Sequence, residues 1–206
     1  MLPSSRMNGT SPAVPALLGG IEAQVVFRNV SWRLYAELTK ARGEGGVPKM
    51  SYLDGTLELV TPSYDHDAIS RMIDKLLFIW ADESDTPLVS SGSWTQERRT
   101  LKAGLEPDES YALGRRRPKR PDIALEVVWT RGALDKLEIY RRLAIPEVWY
   151  WRDDQVSVHV LGPKGYERRK RSQLLPELDL KVLARFVRRE DQLQALRDYR
   201  AELRRH

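Results

Sequence analysis

Between Asp65 and about Ala81, Ile69, Met72, Ile73, Leu76, Leu77 and Trp80 recur at helical spacing, which predicts a helix buried along one side. A shorter helix is expected after Ser31, a suitable N-cap, carrying Trp32, Leu34, Tyr35 and Leu38 and ending before Gly43, Gly45 and Gly46. A third begins near Ala133 and runs to Leu143, with Leu134, Leu137, Tyr140 and Leu143 or Ala144 as its stripe. Residues 190–205 predict a charged terminal helix with a seam of Leu193, Leu196, Tyr199 and Leu203. Strand patterns lie between. Met50–Leu53 and Leu57–Val60 flank Asp54-Gly55, which supplies the positive φ angles of a tight hairpin turn. Leu57 and Leu59 should point one way and Glu58 the other. Pro87–Ser90 and Trp94–Leu101 follow, then two stretches bearing carboxylates, Glu106–Tyr111 and Arg120–Val128. Glu147–Trp151, Asp153-Asp154 and Val156–Leu161 predict a second hairpin, and Tyr166–Lys170 a short strand. This order predicts an α/β chain of α+β type, a mixed sheet flanked by helices.

Asp108 and Glu126 are equidistant from position 117, inside the polar, Pro-broken run Arg115–Arg120 where a turn belongs. If the flanking stretches pair as a hairpin, the two side chains oppose each other and share a face. Two carboxylates so placed can hold a divalent metal against a phosphodiester. On the second stretch Ile123, Leu125 and Val127 alternate with Asp122, Ala124, Glu126 and Val128. The apolar set should pack on a helix, leaving Glu126 beside a core where desolvation is costly without a cation or donor. Asp122 shares that face but lies ~13 Å away at ~3.3 Å per residue, so it is expected to start the strand rather than join a metal site. Pattern alone leaves open a pair of surface carboxylates on a half-exposed sheet.

A chain of 206 residues suits one domain with a sizeable core. Residues 1–24, interrupted by prolines and serines, are expected to be a flexible leader without a signal core, residues 25–189 the folded domain and 190–206 a C-terminal helix. No apolar run approaches the ~20 residues of a membrane span, and with no export signal the expected location is cytoplasmic. The absence of cysteine excludes disulfides, thiolate metal sites and a cysteine nucleophile. Of the net charge of +5, the excess sits in the tail, with 13 Lys and Arg against 7 Asp and Glu from Lys164 to His206, and in the 115–120 turn. Such clusters favour a polyanionic partner, although any single basic run is more commonly a solvated surface. The turn could contact phosphates, but it lies at the far end of the hairpin from Asp108 and is not the catalytic cation. Trp149-Tyr150-Trp151 could stack bases, but strand alternation favours the core.

In order along the chain, Tyr52-Leu-Asp-Gly-Thr-Leu-Glu-Leu59, His66, Gly104-Leu-Glu-Pro-Asp-Glu-Ser-Tyr111, Arg120-Pro-Asp-Ile-Ala-Leu-Glu-Val-Val128, Lys136 to Tyr140 and Ile145-Pro-Glu-Val-Trp149 resemble the Uma2 family over roughly residues 27–185. That family belongs to the restriction-endonuclease-like superfamily with a PD-(D/E)XK core. The resemblance implies a mixed sheet flanked by helices and an endonuclease that hydrolyses phosphodiester bonds in DNA with Mg²⁺, or Mn²⁺. It gives Asp108 the first acidic position and Glu126 the second. The superfamily carries a lysine two residues after the second acid, where this chain has Val128. Lys136, matching a family residue on the following helix, is expected to bring its ammonium to the same point on a long flexible stem and to place the attacking water. His66 matches a family histidine and is expected to wall the site and exchange a proton. Glu58 matches a family acid and is a third candidate metal ligand. Two alternatives stay open: a nucleic-acid-binding module that kept the fold and lost the chemistry, which Val128 favours, and a self-associating protein dimerising through the terminal helix. The superfamily resemblance is also compatible with a homodimer.

Overall fold

The computed structural model describes residues 22–43, 46–114, 119–128 and 133–205. Strand β1 (Ala23–Phe27) begins two residues inside the stretch expected as a leader. Helix α1 (Trp32–Arg42) starts at Ser31, whose hydroxyl accepts from the Leu34 amide at 3.2 Å, and ends at Gly43 with φ 83°. β2 (Lys49–Leu53) and β3 (Thr56–Thr61) form the expected hairpin, with Asp54 and Gly55 at φ 47° and 88°. The long helix α2 (Tyr64–Glu83) buries the predicted stripe from Ile69 to Trp80.

β4 (Leu88–Ser90) and β5 (Gln96–Arg98) follow, the latter running into a single 3₁₀ turn, Arg99–Leu101. Glu106–Tyr111 does not form one strand. β6 (Ala103–Leu105) ends before it and β7 (Glu109–Leu113) starts late in it, because Pro107 offers no amide hydrogen to continue a ladder. β8 (Ile123–Val127), α3 (Lys136–Leu143), β9 (Glu147–Arg152), β10 (Gln155–Gly162), β11 (Gly165–Arg169), α4 (Leu180–Val187) and α5 (Gln192–Leu203) complete the order.

The break at Pro107 divides the strands between two sheets where the pattern predicted one. The first runs β1-β3-β2-β6-β5 and is antiparallel throughout. The second runs β11-β10-β9-β8-β7-β4, and its one parallel pair, β8 with β9, is joined through α3. Glu106, Pro107 and Asp108 therefore cross from one sheet to the other.

β8 is buried on both faces. Ile123, Leu125 and Val127 pack with Trp149 and Trp151 against α2 and α4, whereas Ala124 and Val148 pack against Ile139 and Tyr140 of α3. Trp32 and Tyr35 of α1 close a third cluster with Met50, Tyr52 and Leu57. The seam of α5 is spent within the chain. Ala195 and Tyr199 are fully buried against the α2 and α4 cluster, Leu196 and Leu203 pack beside them, and Leu193 is exposed. That docking removes the surface on which dimerisation through the terminal helix was expected.

Candidate active site

Alternation on β2 sends Met50 and Tyr52 into the core under α1, which leaves Lys49 and Ser51 on the opposite face. Glu58 of β3 lies opposite Ser51, and Gln24 of β1 lies opposite Val60. Gln24, Lys49, Ser51 and Glu58 thus present one polar face of the first sheet to an open cleft of about 750 Å³. Asp108, Lys136 and Tyr150 line the same cleft from the second sheet and α3.

The carboxylate hairpin has the register that the symmetry about position 117 predicts: Glu109 pairs with Leu125, Ser110 with Ala124 and Tyr111 with Ile123. Its turn, residues 115–118, lies outside the described residues. Asp108 sits one residue ahead of β7 and is fixed from both ends. Its amide donates to the Leu125 carbonyl at 3.1 Å, and its Oδ2 accepts from the Val127 amide at 2.7 Å. Asp108 is 5% exposed and Glu126 0%. Asp122 stays apart, accepting from the Leu113 amide at 2.9 Å as a strand-start residue.

Each buried carboxylate has a cation against it. Lys136 opens α3, where Asp135 caps the helix by accepting from the Glu138 amide, and its Nζ lies 2.6 Å from Glu126 Oε2. Tyr140, one helical turn later on the same side, donates its hydroxyl to Glu126 Oε1. Lys49 Nζ lies 2.5 Å from Asp108 Oδ1, and His66 Nε2 lies 2.7 Å from Asp108 Oδ2. The other His66 nitrogen lies 3.0 Å from Glu22 Oε1. His66 is held at the start of α2, where its amide donates to the Ser63 cap at 3.2 Å.

Glu58 differs. It is 0% exposed, and one oxygen accepts from Gln24 Nε2 and, at 2.6 Å, from the Ala133 amide. Its Oε2 has no hydrogen-bond partner among the described residues.

These neighbours set the protonation states. Burial would raise the Asp108 carboxyl, but the Lys49 charge and the His66 contact hold it well below the usual range. Burial and the Asp108 charge raise Glu126, against the pull of Lys136. Burial alone would lower Lys136, but Glu126 and Asp108 together raise it. Burial also acts to lower His66, and its contacts with Asp108 and Glu22 outweigh this and push it up to about 9. At neutral pH the site therefore holds Asp108 ionised, Lys136 as an ammonium and His66 as an imidazolium.

The structure brings Asp108, Lys136, His66 and Glu58 around one cleft, with Glu126 fully buried behind Lys136. It adds residues that the sequence reading missed: Lys49, Tyr140, Glu22 and Gln24. Tyr140 was assigned to the apolar stripe of its helix, although a buried tyrosine hydroxyl needs a partner. Lys49 carried only the weak signal of polar alternation with Ser51. Glu106 is buried as well, but Arg42, Thr95 at 2.8 Å and the Met50 amide at 3.3 Å occupy it. Among the described residues, no three His, Asp or Glu side chains are gathered closely enough to hold a metal ion.

A mixed sheet flanked by helices, with one acid at a hairpin strand and a second on the next, defines the restriction-endonuclease-like class of α+β folds. The chain belongs to the Uma2 family, whose model, described as "putative restriction endonuclease", matches residues 32–193. No curated protein matches the chain. Among the described residues no helix is long and apolar enough to cross a membrane.

Proposed function

We propose that this protein is a divalent-metal-dependent endonuclease that hydrolyses phosphodiester bonds in DNA. The observation that carries this reading is the Lys136 ammonium 2.6 Å from Glu126 in the cleft that Asp108 also lines. A cation from α3 thereby fills the role that Val128 leaves without charge. Asp108, Glu126 and Glu58 are buried hard oxygen donors of the kind Mg²⁺ or Mn²⁺ takes, although the three are not gathered within reach of a single ion in this arrangement. Asp108, Glu126 and Glu58 would have to close on the ion as it binds, and it would supply polarisation of the scissile phosphate and acidification of the attacking water.

The chain's own residues do the rest. Lys136 positions the water and stabilises charge developing on the phosphate. Tyr140 fixes the rotamer of Glu126 through its hydroxyl. His66, charged at neutral pH, forms an ion pair with Asp108 at 2.7 Å and helps to orient it, a holding role rather than that of a base. Lys49 contributes a second positive group where a phosphate would enter.

One observation favours the second reading, a nucleic-acid-binding module without hydrolysis: both Asp108 and Glu126 already have ammonium partners. Purified protein incubated with supercoiled plasmid and Mg²⁺ or Mn²⁺ separates the two. Nicking that needs the metal and is lost in Asp108→Asn and Glu126→Gln is the expected result. Cleavage surviving both substitutions would place the chemistry elsewhere, and DNA binding without cleavage would establish the binding module.

A further inference from the structure

We infer that the cleft continues past the carboxylates onto a shelf that stacks an unpaired nucleotide of a DNA strand, with Tyr150 and His159 as the stacking surface and Arg152 and Arg168 as phosphate contacts. The inference rests on the nuclease reading for the identity of the strand.

Strand register puts the shelf beside the carboxylates. Glu126 of β8 pairs with Tyr150 of β9, and Tyr150 pairs with Ser157 of β10, so the three form a row across one face of the sheet at ~4.8 Å per strand. The flanking tryptophans take the other face, where Trp149 is 0% and Trp151 3% exposed in the core with α2 and α4. Tyr150 is the aromatic of that run that faces the cleft. Its ring meets that of His159 edge to face, at 5.3 Å and 83°. Burial, with the charge of Arg168 adding to it, lowers the His159 pKa, so the imidazole is neutral at neutral pH.

The covering of this face changes along its length. α3 packs over Val148 and Tyr166 and against part of Tyr150, which stays half-buried and lines the cleft with its remaining surface. His159 and Arg168, beside Val148 in one row across the sheet, and Ser157, beside Tyr150, line the cleft. Arg168 stands opposite His159 in the β10–β11 register, and Arg152 ends β9. Both arginines are exposed, and neither makes an ion pair with a described residue, whereas Arg141, Arg142, Arg200 and Arg204 are all paired. Unpaired guanidinium groups beside an aromatic pair suit a strand with a charged backbone and a free π-face. A base inside a duplex has both faces covered by its neighbours, so only an unpaired one can lie on Tyr150.

The test uses the full chain with chelator, so that binding is read without cleavage. A labelled single-stranded oligonucleotide and a blunt duplex of the same sequence are titrated by fluorescence anisotropy. Tyr150→Ala is expected to weaken single-strand binding by about 5-fold or more, and Tyr150→Phe to retain it. Arg168→Ala is expected to weaken it and reduce its salt dependence by about one phosphate contact. Because Arg168 is exposed, that variant decides the matter if Tyr150→Ala fails to fold. Binding within twofold of wild type in both alanine variants overturns the shelf, as does equal loss in Tyr150→Phe and Tyr150→Ala. Plasmid cleavage measured in parallel keeps the two ideas apart. Tyr150-dependent binding with no cleavage under any metal sinks the nuclease and keeps the shelf. Cleavage abolished by Glu126→Gln, with binding indifferent to Tyr150 and Arg168, does the reverse.

Discussion

Glu147 and Glu58 are both fully buried carboxylates on strands, yet their oxygens are treated in opposite ways. Glu147 accepts from the Gln173 and Leu174 amides at 2.6 and 3.0 Å, and from Trp149 Nε1 and Ser172 Oγ at 2.9 and 2.8 Å. Four neutral donors close it, and in doing so it pins the segment between β11 and α4. Glu58 has one oxygen satisfied and one without a donor among the described residues. Its neighbours are balanced by lysines instead, Glu126 by Lys136 and Asp108 by Lys49, with one fixed amide, that of Val127, on the other Asp108 oxygen. A carboxylate closed by the backbone is an anchor, because those donors cannot leave. One balanced by a lysine stem of four carbons can exchange that partner for another cation. The contrast separates a staple of the fold from a site.

The largest effect should come from removing the staple. Glu147→Ala leaves a buried indole N–H, a buried hydroxyl and two partly buried amides without their acceptor, which should cost about 3–5 kcal/mol. Urea unfolding would measure it, and a loss below about 1 kcal/mol would mean that Glu147 does not close the β11–α4 segment.

On the site side, His66 gives a pH signature in metal-free protein. Its folded value of about 9 lies above the ~6.5 of an unfolded chain, so its contribution to stability is present in full below ~6.5 and is lost as pH rises through about 9. The swing is on the order of 3 kcal/mol, and His66→Gln should flatten it. Denaturation midpoints in chelator across that window check the sign. A variant with the slope of the wild type would show that the imidazolium is not what holds Asp108.

The next effect sets Glu58 directly against Glu147. Substituting Glu58→Gln changes a carboxylate with an oxygen that no donor among the described residues reaches, so metal-free stability should stay within about 1 kcal/mol of wild type or rise. Mg²⁺ at a hundred times its dissociation constant should stabilise the wild type by about 2.7 kcal/mol and the variant far less. Thermal unfolding with and without Mg²⁺ reads this. Equal shifts in both proteins would remove Glu58 from the ion's ligands.

What the sequence revealed follows from how far apart the partners are. The register of the carboxylate hairpin was legible because both strands flank one short polar turn, and symmetry about position 117 then gives it. The Ser31 cap and the α2 stripe were legible because their information is local. Lys49 was not, since it meets Asp108 across 59 residues and two sheets. Nor was the split at Pro107 drawn out, although a proline inside a predicted strand was the cue for it. α4 went unassigned even though Leu180, Leu183, Phe186 and Val187 fall on one helical face behind an Asp179 cap. An eight-residue apolar run fits strand and helix alike. Lys136 was reached through the family resemblance, and no local pattern tells a site lysine from a surface one.

That last point is open to the smallest and most discriminating effect. Val128 lines the cleft with Lys136, and its amide donates to the Trp151 carbonyl at 2.9 Å, so its backbone is fixed whatever side chain it bears. If Lys136 performs from α3 the work of a strand lysine, cleavage lost in Lys136→Ala should return by roughly tenfold, about 1.4 kcal/mol of barrier, when Val128→Lys is added. In the wild-type background Val128→Lys should bring no gain, because Glu126 already holds one ammonium and a second would repel it. Plasmid-nicking rates of the four proteins form a double-mutant cycle. Additive losses would leave Lys136 as a partner of Glu126 alone, and it would then stand nearer to the Glu147 staple than to the site.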